Sequence, residues 1–588
     1  MHEHEVRPLI SQVEAAVSVA IGAALPALAG ADPVVRRSEF ADFQSNAALA
    51  LAKRARTRPA EVAGAISEAL SRRATAPVTE VTVSGPGFLN IVVEDSAVWN
   101  QVGARLDSPR LGIGTPEEGR RTVVDYSAPN IAKEMHVGHL RTTIIGDCLA
   151  RLLGFLGADV IRQNHLGDWG TQFGMLIQYL DEHPAVAWHK DELDSGDSPV
   201  SALDALYREA RAAFDADEAF ADRARARVVA LQAGDEATVA RWREIVAESE
   251  LAFREIYDRL GVLLQPDDSF GESSYNAWLP AIAQELTEDG IAVENDGALV
   301  VYSEEVVGPD DNPVTLMVRK KDGGYGYDTT DLATIRYRIR DLKAERLLYV
   351  VDSRQALHFR LIFEVARRAG WLTDAIEATH VAFGTVLGPD GRPFKTRSGN
   401  TIRLMNLLDA AVDKARATLA EKDPDLTRDE LEQIAEQAGI GAVKYADLST
   451  SRIKDYVFDV DRMVSFAGNT GVYLQYAHTR MSSILRKAGD APVEVDKTVA
   501  LSSEERALAL GLDAFGDIVT EVGRVLEPHR LCGYLYELAK QFTDFYEACP
   551  VLSADEPVRS NRLALCQLAA RTLRQGLDLL GIVAPERM

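Results

Sequence analysis

Residues 121–147, RTVVDYSAPNIAKEMHVGHLRTTIIGD, decide how this chain is to be read. The apolar pair Val123-Val124 marks a buried parallel strand. The strand breaks at Ser127-Ala128-Pro129-Asn130, because proline donates no ladder hydrogen bond and restricts the residue before it. A helix follows, with Leu140, Ile144, Ile145, Leu149 and Leu152 at helical spacing. Between strand and helix stands His136-Val137-Gly138-His139. Such a junction suits an anion, since free backbone N–H groups and the helix dipole both favour negative charge. Gly138 lets a ligand approach the backbone closely, and two imidazoles three residues apart reach one phosphate group. Taken alone, an H-x-G-H is equally ordinary punctuation between a strand and a helix.

Working outward, a chain of 588 residues holds several domains, and 46% hydrophobic with 26% charged residues is a globular composition. No stretch is apolar for long enough to span a bilayer, and the start, MHEHEVRPLI, lacks the form of a signal peptide. Cys148, Cys532, Cys549 and Cys566 are far apart and form no C-x-x-C pair, which predicts neither zinc nor disulfides and fits a reducing cytoplasm. A net charge of −25 argues against wholesale electrostatic binding to nucleic acid, while leaving room for a local basic path.

The pattern predicts a multidomain α/β fold. Residues 1–105 read as an α/β unit, with helices over about 8–28 and 45–72 and two strands in VTEVTVSGPGFLNIVV joined by a Ser-Gly-Pro-Gly turn. Residues 106–120 read as a polar linker. Residues 121–404 form a Rossmann-like parallel-sheet domain with an acidic helical insertion over about 180–265, whose charged face is solvated. Within it, ADVIRQNHLGDWGTQFG repeats the strand–turn–helix theme, and RLLYVVDSRQALHF is another buried strand running into a helix that starts with Gln355 and His358. Glu272 sits in a turn, a helix begins near Thr329-Thr330, and Lys395 and Arg397 lie on a glycine-rich loop. Residues 405–588 read as an all-α bundle.

Ser-Ala-Pro-Asn-Ile-Ala-Lys before the histidines and His-Leu-Arg-Thr-Thr after them resemble the signature of class I aminoacyl-tRNA synthetases, specifically the arginyl enzymes. The resemblance runs essentially the full length. It implies attack of an arginine carboxylate on the α-phosphorus of ATP, followed by transfer of the arginyl group to a tRNA ribose hydroxyl. Magnesium is expected with ATP, and zinc is not. Preorganised positive groups and donors would lower both barriers. His136, Gly138, His139 and Lys395 would bind ATP, with Arg397 closing over its outer phosphates. The usual Lys-Met-Ser-Lys-Ser reads here Lys395-Thr396-Arg397-Ser398-Gly399, so the second lysine is missing. Arginyl enzymes with this departure resemble the chain in carrying a lysine three residues before the first histidine, which here is Lys133.

By the same resemblance, Glu272, Asp331, Tyr327 and Gln355 would read the guanidinium, a planar cation that prefers carboxylates, and Asn130 would lie near the α-amino group. Asp331 is equally a helix N-terminal acid. No editing module is needed for so polar a substrate. The added N-terminal domain would touch the tRNA elbow through the loop holding Phe43 and Asn46, each equally a core aromatic or a helix cap. Tyr473, Tyr476, Arg480 and Met588 match anticodon contacts, with the two tyrosines equally readable as bundle core. Tyr534, Phe542 and Phe545 read as core. The expected partners are arginine and tRNA, without a membrane, for a cytoplasmic monomer.

The rivals are another H-x-G-H nucleotidyl transferase, including a synthetase for another amino acid, and a non-catalytic RNA-binding relative. Glu272, the Y-D-T-T-D segment and Lys133 argue against the first; intact His136, His139, Lys133 and Lys395 argue against the second. A dinucleotide-binding dehydrogenase fails for want of G-x-G-x-x-G after the first strand.

Overall fold

The structure is a computed structural model that describes residues 5–73, 77–193, 199–308, 312–388, 390–392, 402–489 and 493–588. Lys395 and Arg397 therefore lie outside the described residues. The amino-terminal part runs α1 (Leu9–Ala24), β1 (Val35–Arg37), β2 (Phe43–Ser45), α2 (Ala47–Ala55), α3 (Pro59–Arg73), β3 (Val78–Ser84), β4 (Phe88–Val93) and α4 (Asp95–Asp107). Its antiparallel sheet has the order β1-β2-β4-β3. The Ser-Gly-Pro-Gly hairpin forms as the turn chemistry requires. The single helix expected over 45–72 is broken: Arg56 caps α2 in the left-handed region (φ 54°), and Pro59 opens α3. Strands β1 and β2, three residues each, are too short to leave a periodic signal.

The central part begins with β5 (Arg121–Asp125), α5 (Val137–Phe155), β6 (Asp159–Gln163) and α6 (Thr171–Glu182). It continues with α7 (Pro199–Ala216), α8 (Glu218–Ala233), α9 (Glu236–Leu260), α10 (Leu279–Glu288), β7 (Val293–Asn295), β8 (Ala298–Val307) and β9 (Pro313–Arg319). Then come α11 (Tyr327–Arg340), β10 (Arg346–Tyr349), α12 (Ala356–Arg368), β11 (Glu377–His380) and β12 (Val386–Leu387). The sheet β11-β10-β5-β6 is parallel throughout, as the buried apolar runs predict. Its carboxyl ends gather the turn after β5, the Asn164–Gly170 turn and the Asp352–Gln355 turn, the place where open α/β sheets bind ligands.

Helix α5 is buried far beyond its apolar face. Arg141, 1% exposed, pairs with Asp447 at 3.2 Å and donates to the carbonyls of Gly384 (2.8 Å) and Lys454 (2.9 Å). The second layer over α5 comes from the carboxy-terminal helices α13 (Leu404–Lys422), α14 (Arg428–Leu448), α15 (Val460–Met463), α16 (Gly471–Ala488), α17 (Ser503–Asp513), α18 (Phe515–Val525), α19 (His529–Ala548) and α20 (Val558–Leu579). A two-residue strand, β13 (Tyr456–Val457), pairs in parallel with β12. The amino-terminal part clips onto these helices through Arg105–Asp513, a buried pair at 2.7 Å, and through Arg506, which meets both Asp42 and Asp95. Leu111 and Ile113, in the stretch read as a polar linker, are buried. All four cysteines are buried and free. Among the described residues no helix is long and apolar enough to cross a membrane.

Candidate active site

The turn after β5 is held in an unusual backbone conformation. Ser127 (φ 72°), Ala128 (φ 47°) and Ala132 (φ 59°) all occupy the left-handed region without being glycine. Each such residue costs about 1–3 kcal/mol and persists only where its surroundings over-determine it. Here the Ser127 N–H donates to Thr142 Oγ1 (3.1 Å), the Ala128 N–H to Asn164 Oδ1 (3.0 Å) and the Ala132 N–H to Ser249 Oγ (3.1 Å). The Tyr257 hydroxyl joins Ser127 Oγ (2.7 Å) and accepts from Asn164 Nδ2 (3.2 Å). Ser249 and Tyr257 belong to α9, so the inner face of the charged insertion braces the turn after β5. Its charged residues predict a solvated face; the structure shows that the other face is not solvated.

His136 caps α5. Its Nδ1 accepts the Gly138 N–H (3.0 Å), while His139 Nδ1 accepts the N–H of His136 (3.1 Å). The rings lie 4.1 Å apart, so the structure brings the two imidazoles together. The helix-end N–H groups expected to be free are partly consumed: those of His136 and Gly138 go to imidazoles, and that of His139 to the His136 carbonyl (2.8 Å). Since each Nδ1 is an acceptor, each neutral ring carries its proton on Nε2. Burial and the neighbouring His136 hold the His139 pKa down at about 3, and burial and Arg354 lower that of His136. The pair therefore offers neutral donors, not cations. A Cβ on Gly138 would lie 2.8 Å from His136 Cε1, so this glycine makes room for the imidazole as well as for any ligand.

Lys133 stands over the Tyr207 ring of α7, with Nζ 5.4 Å from its centroid. Beside it Glu134 accepts from Ser201 of the same helix. The chain leaving residues 393–401 lands on this turn: Arg403 bridges His136, and the Leu404 N–H donates to the Met135 carbonyl (2.9 Å). Arg354 is a cation near His136 that the sequence reading did not single out, and Asp352 grips it through both carboxylate oxygens at 2.8 and 2.9 Å.

The candidate guanidinium side is acidic. A cleft of about 750 Å³ is lined by Trp169, Glu272, Asn276, Lys320, Tyr325 and Tyr327 among others. Glu272 opens a 3-10 turn, Glu272–Trp278, that is fixed by Asp168: Asp168 accepts from the Ser273 N–H (2.8 Å) and hydroxyl (2.6 Å). Burial, then the charges of Asp331 and Asp168, push the Glu272 pKa up to about 7. Asp331 lies 2.6 Å from His358 Nε2, and Asp328 3.3 Å from His358 Nδ1. Tyr327 is 67% exposed, with its ring 5.3 Å from that of His358. Helix α11 starts at Tyr327, after Gly326, earlier than the Thr329-Thr330 start expected; Thr330 back-bonds to the Gly326 carbonyl and caps nothing. Gln355 is exposed, one turn before His358. Asn130 bridges Gly167 across β5 and β6, and a Cβ on Gly167 would lie 2.3 Å from its Oδ1. The sequence gives Asp168, Asp328 and His358 no role of their own, because their partners are distant in the chain or, for Asp328, because an acid at a helix start is unremarkable.

Away from this centre, Phe43 is core at 1% exposure, and the aromatic that its turn presents is Phe40, 83% exposed. Asn46 precedes α2 without making a cap bond. On α16, Tyr473 packs edge-on against Tyr536 (5.6 Å), Tyr476 is 42% exposed, and the Arg480 guanidinium lies 4.6 Å from the centre of the Tyr546 ring. Phe542 and Phe545 are buried, while Tyr534 is half-buried and donates to the Gly511 carbonyl (3.0 Å). The terminal segment that ends at Met588 docks along α16, where the Pro585 carbonyl accepts from Thr479 (3.1 Å). Among the described residues no group of three or more His, Cys, Asp and Glu side chains is set to hold a metal.

Comparison with known proteins agrees along the whole chain. The family described as "tRNA synthetases class I (R), catalytic domain" matches residues 102–460, the "DALR anticodon binding domain" residues 474–588, and the "Arginyl tRNA synthetase N terminal domain" residues 11–93. The chain is 75% identical to the arginine–tRNA ligase of Frankia casuarinae over 588 residues, covering 100% of both. It is 51% identical to that of Streptomyces coelicolor, over 99% of this chain and 100% of the relative. Among solved structures, arginyl-tRNA synthetase of Plasmodium falciparum superposes with a TM-score of 0.83 and that of Thermus thermophilus with 0.81. Both are 28% identical and cover 99% of this chain and 100% of their own.

Proposed function

The chain belongs to the arginyl-tRNA synthetases and joins arginine to tRNA using ATP, and from that premise we propose how its residues divide the work. The neutral Nε2–H groups of His136 and His139 donate to the α-phosphate, with Gly138 beside them. Lys133, swinging off Tyr207, supplies the positive charge that Ser398 in place of a second lysine fails to supply. Lys395 and Arg397 close over the departing pyrophosphate. A magnesium ion carried with ATP would supply charge neutralisation at the phosphates, beside Lys133, Lys395 and Arg397. Preorganised donors of this kind are worth roughly 10²–10³ in rate each.

Glu272 and Asp331 take the guanidinium, Tyr327 and Gln355 flank it, and Asn130 meets the α-amino group. The observation that carries this reading is Glu272 lining the cleft, with its pKa pushed up to about 7 by burial and then by the charges of Asp331 and Asp168, a setting that an entering cation relieves. Tyr473, Tyr476, Arg480 and Met588 take the anticodon loop by stacking and phosphate contact, and Asn46 the tRNA elbow. We further propose a cytoplasmic monomer divided as 1–105, 106–120, 121–404 and 405–588. Pyrophosphate exchange with each of the twenty amino acids, with and without tRNA, tests the site reading. Exchange with arginine alone supports it; exchange with another amino acid returns Glu272 and Asp331 to structural roles.

A further inference from the structure

His358 stands in the first turn of α12, where its ring joins two helices. Nε2 is 2.6 Å from Asp331 Oδ2, and Nδ1 is 3.3 Å from Asp328 Oδ1, both on α11. Only an imidazolium donates from both nitrogens at once. Burial alone would lower the His358 pKa, but hydrogen bonds to Asp328 and Asp331 and their charges raise it to about 9. Asp328 is itself anchored, since its other oxygen accepts the Met317 N–H (3.1 Å) from β9. The chain of contacts thus runs from β9 through Asp328 and His358 to Asp331, with Gln355 one turn upstream of the histidine.

We propose that His358 is a positioning residue for guanidinium recognition: it holds Asp331 by one oxygen and leaves the other for substrate. The inference rests on the reading of Asp331 as a guanidinium acceptor. A planar fork of donors needs an oriented acceptor, whereas an ammonium, as a compact point charge, does not. Freeing Asp331 therefore costs arginine more than it costs lysine.

The test uses the full-length protein in tRNA charging, with lysine as a competitive inhibitor and thermal melting as a check on the fold. His358→Ala is expected to raise the arginine KM roughly ten- to a hundredfold, the scale of a lost charge-assisted hydrogen bond, with the ATP KM and the lysine Ki changed about twofold at most. His358→Gln, which keeps one donor, is expected to fall between the two and serves as the measured variant if the alanine protein does not fold. An unchanged arginine KM, or ATP, arginine and lysine constants that rise together, overturns the positioning role. Asp331→Asn separates the levels: if it too leaves the arginine KM unchanged, the reading of Asp331 itself is wrong.

Discussion

The two halves of the active site solve opposite electrostatic problems. On the proposed reading the turn around His136 and His139 receives a polyanion, yet its imidazoles are neutral, locked by backbone N–H groups and held down by burial. On the same reading the region of Glu272 and Asp331 receives a cation, and its carboxylates are offset by the His358 imidazole, whose pKa is raised to about 9, and by the raised pKa of Glu272, about 7. Each half thereby avoids a large unpaired charge while empty, which would be costly away from water. The difference expected on binding is that the imidazoles of the first half act as neutral donors beside the Lys133 charge, whereas the second half gives up a proton from Glu272.

That contrast can be broken by experiment. Lys133→Ala is expected to lower the rate of adenylate formation by about 10²–10³, with the arginine KM unchanged, because it removes charge from the phosphate half alone. A comparable loss of arginine affinity in single-turnover kinetics would mean that the halves are not separable. Glu272→Gln should weaken arginine by roughly ten- to a hundredfold. In the parent protein, Glu272 must lose its proton to pair with the guanidinium, so arginine affinity should rise with pH through about 7 and then level off. Calorimetry in buffers of different ionisation enthalpy should show release of a fraction of a proton near that pH, absent in the glutamine variant. The ATP KM should carry no His139 titration over the same range, since burial and the neighbouring His136 hold the His139 pKa down at about 3.

Two smaller effects sharpen the picture. Tyr476→Ala should raise the tRNA KM about tenfold, at the scale of one stacked base, and leave the arginine and ATP constants alone. Tyr257→Phe removes the hydroxyl that ties Ser127 to Asn164. It should destabilise the fold by about 1–2 kcal/mol in denaturant melts. The arginine KM should then rise a fewfold, because Asn130 sits two residues beyond the strained Ser127-Ala128 pair.

How much of this was legible beforehand follows from distance along the chain. The turn from Ser127 to His139 is contiguous, and its proline, glycine and flanking apolar runs announce a strand, a break and a helix. By contrast, Asp331 and His358 are 27 residues apart, Asp168 and Ser273 are 105 apart, and Ser127 and Tyr257 are 130 apart. No local pattern encodes such pairings. Charge density speaks for only one face of α9: a helix rich in Glu and Arg still has an inner face, and only the partner across from it shows that Ser249 and Tyr257 point at the turn after β5.

By itself the sequence determined the parallel sheet, the helical carboxy-terminal third and the residues able to meet phosphate and guanidinium, since strand burial, helical spacing and residue chemistry are local properties. The tertiary structure alone decided the directions in which the pKa values of His139, Glu272 and His358 move, the parking of Lys133 on Tyr207, and the bracing of a strained turn by a distant helix. Those depend on which groups burial brings together, and electrostatic energy is set by separation in space, which separation in sequence does not report.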